Sequence, residues 1–288
     1  MRVVLEEEEM MAEHRFDTGT VAINYAEGPP SGLPLVLLHG GGASWHSLLT
    51  VIPDFYTWHI YALDFRGHGR SGRVPGAYRW GDYVQDTTAF LRHHFSEPVI
   101  LWGQSLGATV AVGVAAQAPD TVRAIVLEDP WLDLQTSEDE KQFLLYRRNL
   151  IAAVHSLDEM ITALADESVT APGHAEPVRR GEVEDDAEIQ LGAEMLIQLD
   201  PEVYTFGWDG RLAEGYNMDA VLEQVACPTL LMQANPALGG RVDDELAGHA
   251  MALLPQGTLV SIPEARHDIY RSQPLAARQA AAQFLESL

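Results

Sequence analysis

The pentapeptide Gly103-Gln104-Ser105-Leu106-Gly107 constrains this chain more than any other segment. It follows the apolar run Pro98-Val99-Ile100-Leu101-Trp102 and precedes a small-residue stretch over 108–118. The run reads as a buried strand and the stretch as a helix. A strand, a G-x-S-x-G turn and a helix together hold the serine in strained backbone geometry. Its hydroxyl then stands exposed at the carboxyl end of the strand. The flanking glycines are needed because helix and strand backbones approach too closely there for Cβ atoms. Ser105 is therefore the candidate nucleophile, and Gln104 beside it is placed in the substrate pocket.

The rest of the chain fits a strand–turn–helix unit of this kind. Residues 14–17 and 20–26 flank Thr18-Gly19 and read as a hairpin. Short apolar strands are expected at 35–38, 58–63, 99–102 and 124–127, with helices at 43–53, 80–95 and 108–118. This alternation implies α/β architecture: a mostly parallel central sheet with helices on both faces, joined by right-handed crossovers. After Glu128-Asp129-Pro130 the alternation stops. Helices are expected at 138–151, 157–166 and 186–199, with polar stretches such as 170–180 between them. Strand–helix alternation resumes with a strand at 228–233, a helix at 243–254, a strand at 258–262 and a helix at 274–288. The division that follows is a core of 1–130 and 225–288 with a helical cap inserted over 131–224. Such a cap would lie over the carboxyl ends of the strands, where open α/β sheets bind ligands.

A serine hydroxyl is a poor nucleophile until a base takes its proton. His267 follows the last expected strand, and the chain order Ser, acid, His suits this architecture. An oxyanion hole needs two N–H groups aimed at one point. One comes from Leu106, the residue after the nucleophile. The other comes from His39-Gly40-Gly41-Gly42 after the 35–38 strand, with Gly41 the first choice and Gly42 the second. Trp45, Trp131 and Trp208 are candidate pocket walls, with core or cap packing the competing role for each.

Four motifs stand in order: His39-Gly40-Gly41-Gly42, then the Asp64 to Ser71 segment Asp-Phe-Arg-Gly-His-Gly-Arg-Ser, then the serine pentapeptide, then His267. Together they resemble the α/β-hydrolase superfamily over roughly residues 20–288. The resemblance implies the fold and a Ser-His-acid triad but not the substrate. It makes Asp64, Arg66 and His68 scaffold rather than catalysts. In most relatives the acid follows the strand corresponding to 228–233, yet here that loop reads Ala234-Asn235-Pro236-Ala237-Leu238-Gly239-Gly240. A minority place the acid after the preceding strand, where Asp129 stands. Asp129 is the preferred acid, Asp243 and Asp244 are the alternatives, and Asn235 could hold the imidazole tautomer without offsetting its charge. The resemblance also sets Ser105 apart from the dehalogenases and epoxide hydrolases of the superfamily, which carry Asp there.

The expectation is a serine hydrolase acting on a small carboxylic ester or lactone. Its rivals are C–C bond hydrolysis, acyl transfer or perhydrolysis at the same site, or a ligand-binding receptor on this scaffold. Neither a metal nor another cofactor is implied, since no metal-ligand or nucleotide-binding spacing occurs. Composition narrows the partners. The 288 residues are 47% hydrophobic, enough for a full core, and carry a net charge of −24 from 42 acidic and 18 basic residues. Nucleic acid and anionic membranes both need basic patches, so neither is an expected partner. A weaker expectation from the same charge is a preference for neutral or cationic substrates over anionic ones. The one cysteine, Cys227, reads as a buried inert thiol. No signal peptide or membrane-spanning run is visible, which makes the cytoplasm the expected location.

Overall fold

The computed structural model describes residues 11–49, 57–133, 136–169, 174 and 176–288. Four strands open the chain: β1 (Ala12–Asp17), β2 (Ala22–Glu27), β3 (Pro34–Leu38) and β4 (His59–Leu63). Helix α1 (Trp80–His94), strand β5 (Val99–Gln104), helix α2 (Leu106–Gln117) and strand β6 (Val122–Glu128) follow. With β9 (Thr229–Gln233) and β10 (Gly257–Ser261) they make an eight-stranded sheet of order β1-β2-β4-β3-β5-β6-β9-β10. β1 and β2 pair antiparallel, as do β2 and β4, and every other pairing in the sheet is parallel.

Side-chain alternation splits the core by sheet face. Val36, Leu38, Leu101, Ile125, Leu127 and Leu231 point to the face covered by α1 and α2. Their neighbours Leu35, Leu37, Ile100, Trp102, Val126 and Leu230 point to the other face, where the C-terminal helix Pro274–Glu286 supplies Ala277, Ala281 and Phe284. Both faces are buried, which is why these strands read as unbroken apolar runs.

Between β6 and β9 lie helices α3 (Glu138–Ala153), α4 (Leu157–Ala165), α5 (Asp186–Gln198), α6 (Pro201–Trp208) and α7 (Met218–Leu222). Side chains of Ser137, Ser156, Asp185, Asp200 and Asn217 accept hydrogen bonds from the first-turn amides of these helices. The polar breaks in the sequence are thus N-caps. A two-residue ladder, β7 (Ser168–Val169) with β8 (Val178–Arg179), also lies here. It is too short to leave an alternating pattern. Where a helix is expected over 43–53, the described residues form a 3₁₀ turn, Trp45–Leu48, and residues 50–53 lie outside the described residues. Part of the 170–180 stretch also lies outside them. The last elements are α8 (Asp244–Leu253), α9 (Ile269–Ser272) and α10 (Pro274–Glu286). Among the described residues no helix is long and apolar enough to cross a membrane.

The segment around Asp64 locks the sheet to its neighbours. The Arg66 guanidinium donates from Nε and Nη2 to the two Asp86 carboxylate oxygens at 2.6 and 2.7 Å, and both residues are buried. Removing one partner leaves an uncompensated buried charge. Asp86→Ala is expected to lower the unfolding free energy by about 3 kcal/mol, the lower end of the cost of breaking a buried pair, because Asp82 remains 3.7 Å from Arg66. Urea denaturation measures this as a lower midpoint at unchanged slope. A loss below about 1 kcal/mol would assign the pair the strength of a solvent-screened one.

Candidate active site

Ser105 sits between β5 and α2 with φ 50° and ψ −111°. Its amide donates to the Glu128 carbonyl at 2.8 Å, extending the β5–β6 ladder one residue past the strand. The elbow is sterically closed. A Cβ on Gly103 would come within 2.3 Å of the Gly107 backbone, and one on Gly107 within 2.1 Å of the Leu38 carbonyl oxygen. Ser105 and Asp129 (φ 42°) are the two non-glycine residues with positive φ among those described. Backbone strain of this kind collects at functional sites.

Asp129 follows the last residue of β6 and is fully buried. Its Oδ2 accepts from His267 Nδ1 at 2.6 Å and from the Arg241 amide at 2.8 Å, and its Oδ1 accepts from the Val242 amide at 3.2 Å. Asp129 is thus the carboxylate that meets His267. The alternatives are engaged elsewhere. Asp243 caps α8, Asp244 accepts from Gln233 Nε2, and Asn235 bonds the Pro263 carbonyl and the Ala237 amide.

Ser105 and His267 line one cavity of about 400 Å³, together with Gly41, Gly42, Leu106 and Trp131. Leu106 is the first residue of α2, so its N–H has no partner within the helix and lies at the positive end of the helix dipole. His39 stands behind the glycine turn. Its Nδ1 donates to the Gly40 carbonyl at 2.7 Å and its Nε2 accepts from the Phe65 amide at 3.1 Å. Burial lowers the His39 pKa to about 4, which fixes a neutral ring in this bridge. Asp64 and His68 are buried and, with Arg66, lie outside the cavity wall. Asp64 accepts from the amides of Trp45 and Arg70, and His68 Nδ1 donates to the Arg66 carbonyl.

Three residues expected in the pocket are placed differently. Trp45 is buried in the core on the α10 side of the sheet, where its Nε1 donates to Glu13 at 2.8 Å; the turn that carries it directs the ring inward. Gln104, the last residue of β5, lies behind the cavity wall, with its Nε2 3.5 Å from the His267 carbonyl. Trp208 ends α6 and is 38% exposed, beyond the cavity, whereas Tyr204 one turn earlier lines it. Trp131 does line the cavity, its amide donating to Thr109 Oγ1 at 3.0 Å.

Sequence reasoning passed over Glu128. This buried carboxyl accepts from Trp102 Nε1 at 2.9 Å and from the Tyr270 amide at 2.5 Å, so it fastens the segment that follows His267. Burial pushes its pKa up to about 8, with Asp268 and Asp129 adding to the effect. Sequence reasoning also missed Glu140, Phe143, Leu144 and Arg147, which line the cavity from α3. Their i, i+3, i+4, i+7 spacing marks one helix face and was the available signal. Among the described residues no group of three or more His, Cys, Asp or Glu side chains could hold a metal ion.

The profile of the alpha/beta hydrolase fold matches residues 34–272. The chain belongs to the α/β-hydrolase family. Among curated members, this α/β-hydrolase is 33% identical over 126 residues to 2-(acetamidomethylene)succinate hydrolase of Mesorhizobium japonicum, a match covering 42% of this chain and 44% of the relative. It is 40% identical over 114 residues to lipase LipV of Mycobacterium tuberculosis, covering 38% and 41%. The chain therefore spans less than half the length of these curated relatives. Carboxylesterase CesB of Bacillus subtilis shares the fold with a TM-score of 0.70 at 16% identity, over 99% of this chain and 96% of that one.

The hydrogen bonds at Asp129 generate a direct expectation. An amide there would keep the shape but replace an acceptor by a donor facing N–H groups. Asp129→Asn should fold normally and lose about 10⁴-fold in the turnover rate, as when the orienting acid of such a site is neutralised. Asn235→Ala should be mild. Steady-state hydrolysis of a short-chain nitrophenyl ester measures both. An active Asp129→Asn beside a crippled Asp244→Asn would move the acid to the later loop.

Proposed function

We propose that this chain is a serine hydrolase that cleaves a small carboxylic ester or lactone. Ser105 Oγ attacks the acyl carbon while His267 Nε2 takes the hydroxyl proton. Asp129 holds the other imidazole nitrogen as a donor and offsets the charge of the imidazolium. The carbonyl oxygen becomes an oxyanion held by the N–H groups of Leu106 and Gly41. Collapse expels the alcohol, which leaves with the proton from His267. Water then attacks the acyl-enzyme, giving its proton to His267. The second collapse releases the carboxylic acid and restores Ser105.

The observation that carries this reading is the 2.6 Å hydrogen bond between His267 and a buried, doubly anchored Asp129, beside a cavity that Ser105 also lines. The positive φ of Ser105 supports it, because the strain costs stability and serves to present the hydroxyl. An acid fastened behind the imidazole serves turnover, which favours the enzyme over a receptor.

An uncharged organophosphonate should add a single adduct to the intact protein by mass spectrometry, and Ser105→Ala should abolish it. His267→Ala should lower ester turnover by several orders of magnitude, as loss of the base does in sites that act as a unit. Labelling that survives in Ser105→Ala, or near wild-type turnover in His267→Ala, would overturn the assignment. Phosphonate binding with no turnover of any ester or lactone would favour the receptor.

A further inference from the structure

The cavity wall opposite in character to the chain's overall charge is the feature the proposed chemistry leaves unexplained. Four arginines line it: Arg147, Arg180, Arg241 and Arg271, against Glu140 as the lining carboxylate. Three of them have a buried guanidinium nitrogen without a hydrogen-bond partner, namely Arg147 Nη1, Arg180 Nε and Arg241 Nε. Among the described residues these are the arginines with such a nitrogen. Arg147 is the most enclosed, at 6% exposure.

Four carboxylates, Glu167, Glu184, Glu140 and Glu188, stand against these four arginines, but of the four only Glu140 lines the cavity. Glu167 Oε2 accepts from Arg147 Nη2 at 2.8 Å and lies 2.7 Å from Arg180 Nη2, so one oxygen serves two cations. Arg180 also reaches Glu184 at 3.2 Å. Arg241 pairs with Glu140 at 2.5 Å and lies over the Trp131 ring at 4.2 Å, and Arg271 stands 3.4 Å from Glu188. A clamp between helices would be complete with the Arg147–Glu167–Arg180 contacts. It does not account for four guanidiniums gathered on the wall of one cavity beside the serine. The three unpartnered nitrogens are enclosed by the protein, and the Arg147 guanidinium lies 5.1 Å from the Phe143 ring centroid and 5.9 Å from that of Tyr146. The planar guanidinium fork matches a carboxylate. Leu144, Leu164 and Leu196 complete this wall and lower the local dielectric, which strengthens such a pair.

We infer that the substrate carries a carboxylate remote from its scissile acyl group, and that Arg147, with Arg180 and Arg241, binds it. This deepens the hydrolase reading and rests on it. The acidic composition suggests the opposite preference, for neutral or cationic substrates. Bulk charge, however, is screened within about 8 Å at physiological salt, whereas these guanidiniums stand at the site itself.

Kinetics on paired substrates test this. Monomethyl esters of C4–C8 dicarboxylic acids and O-acetyl C4–C8 ω-hydroxy acids are compared with uncharged isosteres, with acid release followed in a pH-stat. The specificity constant for the best charged ester should exceed that of its isostere by about tenfold to a hundredfold, the range of one charge-assisted hydrogen bond. Arg147→Met should collapse that ratio and Arg147→Lys should keep part of it. Glu167→Gln, which leaves Arg147 without a carboxylate partner, should tighten competitive inhibition by adipate, a change opposite in sign to any loss through misfolding. Equal rates on charged and neutral esters by a protein whose Ser105 is phosphonylated would overturn the inference and leave the hydrolase reading standing. Should Ser105 resist phosphonate and no ester turn over, calorimetric titration with adipate decides separately. Binding that Arg147→Met removes sustains the anion site, and absence of binding ends it.

Discussion

The parallel ladder at the carboxyl ends of β5, β6 and β9 governs everything built above it. Two hydrogen bonds carry it past the regular strands: the Ser105 amide to the Glu128 carbonyl at 2.8 Å, and the Asp129 amide to the Met232 carbonyl at 3.0 Å. Each of these residues then leaves the sheet with positive φ. A serine and an aspartate are brought to neighbouring strand ends by main-chain bonding, before any side chain contributes. The strain is tolerated because strands buried on both faces over-determine the backbone beneath.

Glu128 and Asp129 are adjacent acids with separate duties. Alternation along β6 turns Glu128 into the sheet interior, where burial and nearby carboxylates favour its protonated form, and the turn in the backbone at Asp129 sends the next carboxylate toward His267. Glu128 holds the Tyr270 amide and Asp129 holds the His267 ring, so the ends of one short segment are fastened by consecutive residues. The histidine needs no rigid element of its own. Its loop is fixed from below.

Much of this was legible in the sequence because each signal was local. The serine pentapeptide, the glycine turn and the apolar runs lie within a few residues of the geometry they dictate, and the sheet strands emerged within about two residues at each end. Asp129 was reachable because the usual loop lacks a carboxylate. Pocket walls were harder. Trp45 and Trp208 are large aromatic residues near the right motifs, yet ring direction depends on the turn each occupies and on tertiary packing. The short β7–β8 ladder left no periodicity to read. The arginines were missed because charge counted over the whole chain averages away a cluster assembled from α3, the Arg180 turn, the loop at Arg241 and α9.

Arg241 joins two of these systems through different parts of one residue. Its amide anchors Asp129, while its guanidinium stacks on Trp131 and reaches Glu140 in the cavity. Any residue other than proline supplies the same amide, so the side chain here is free to vary without unfastening the acid. Selectivity and chemistry are therefore separable under single substitutions at this position, whereas an insertion or deletion in the loop would shift both together. A lineage, or an engineer, could change what this cavity accepts while the proposed reaction stays fixed.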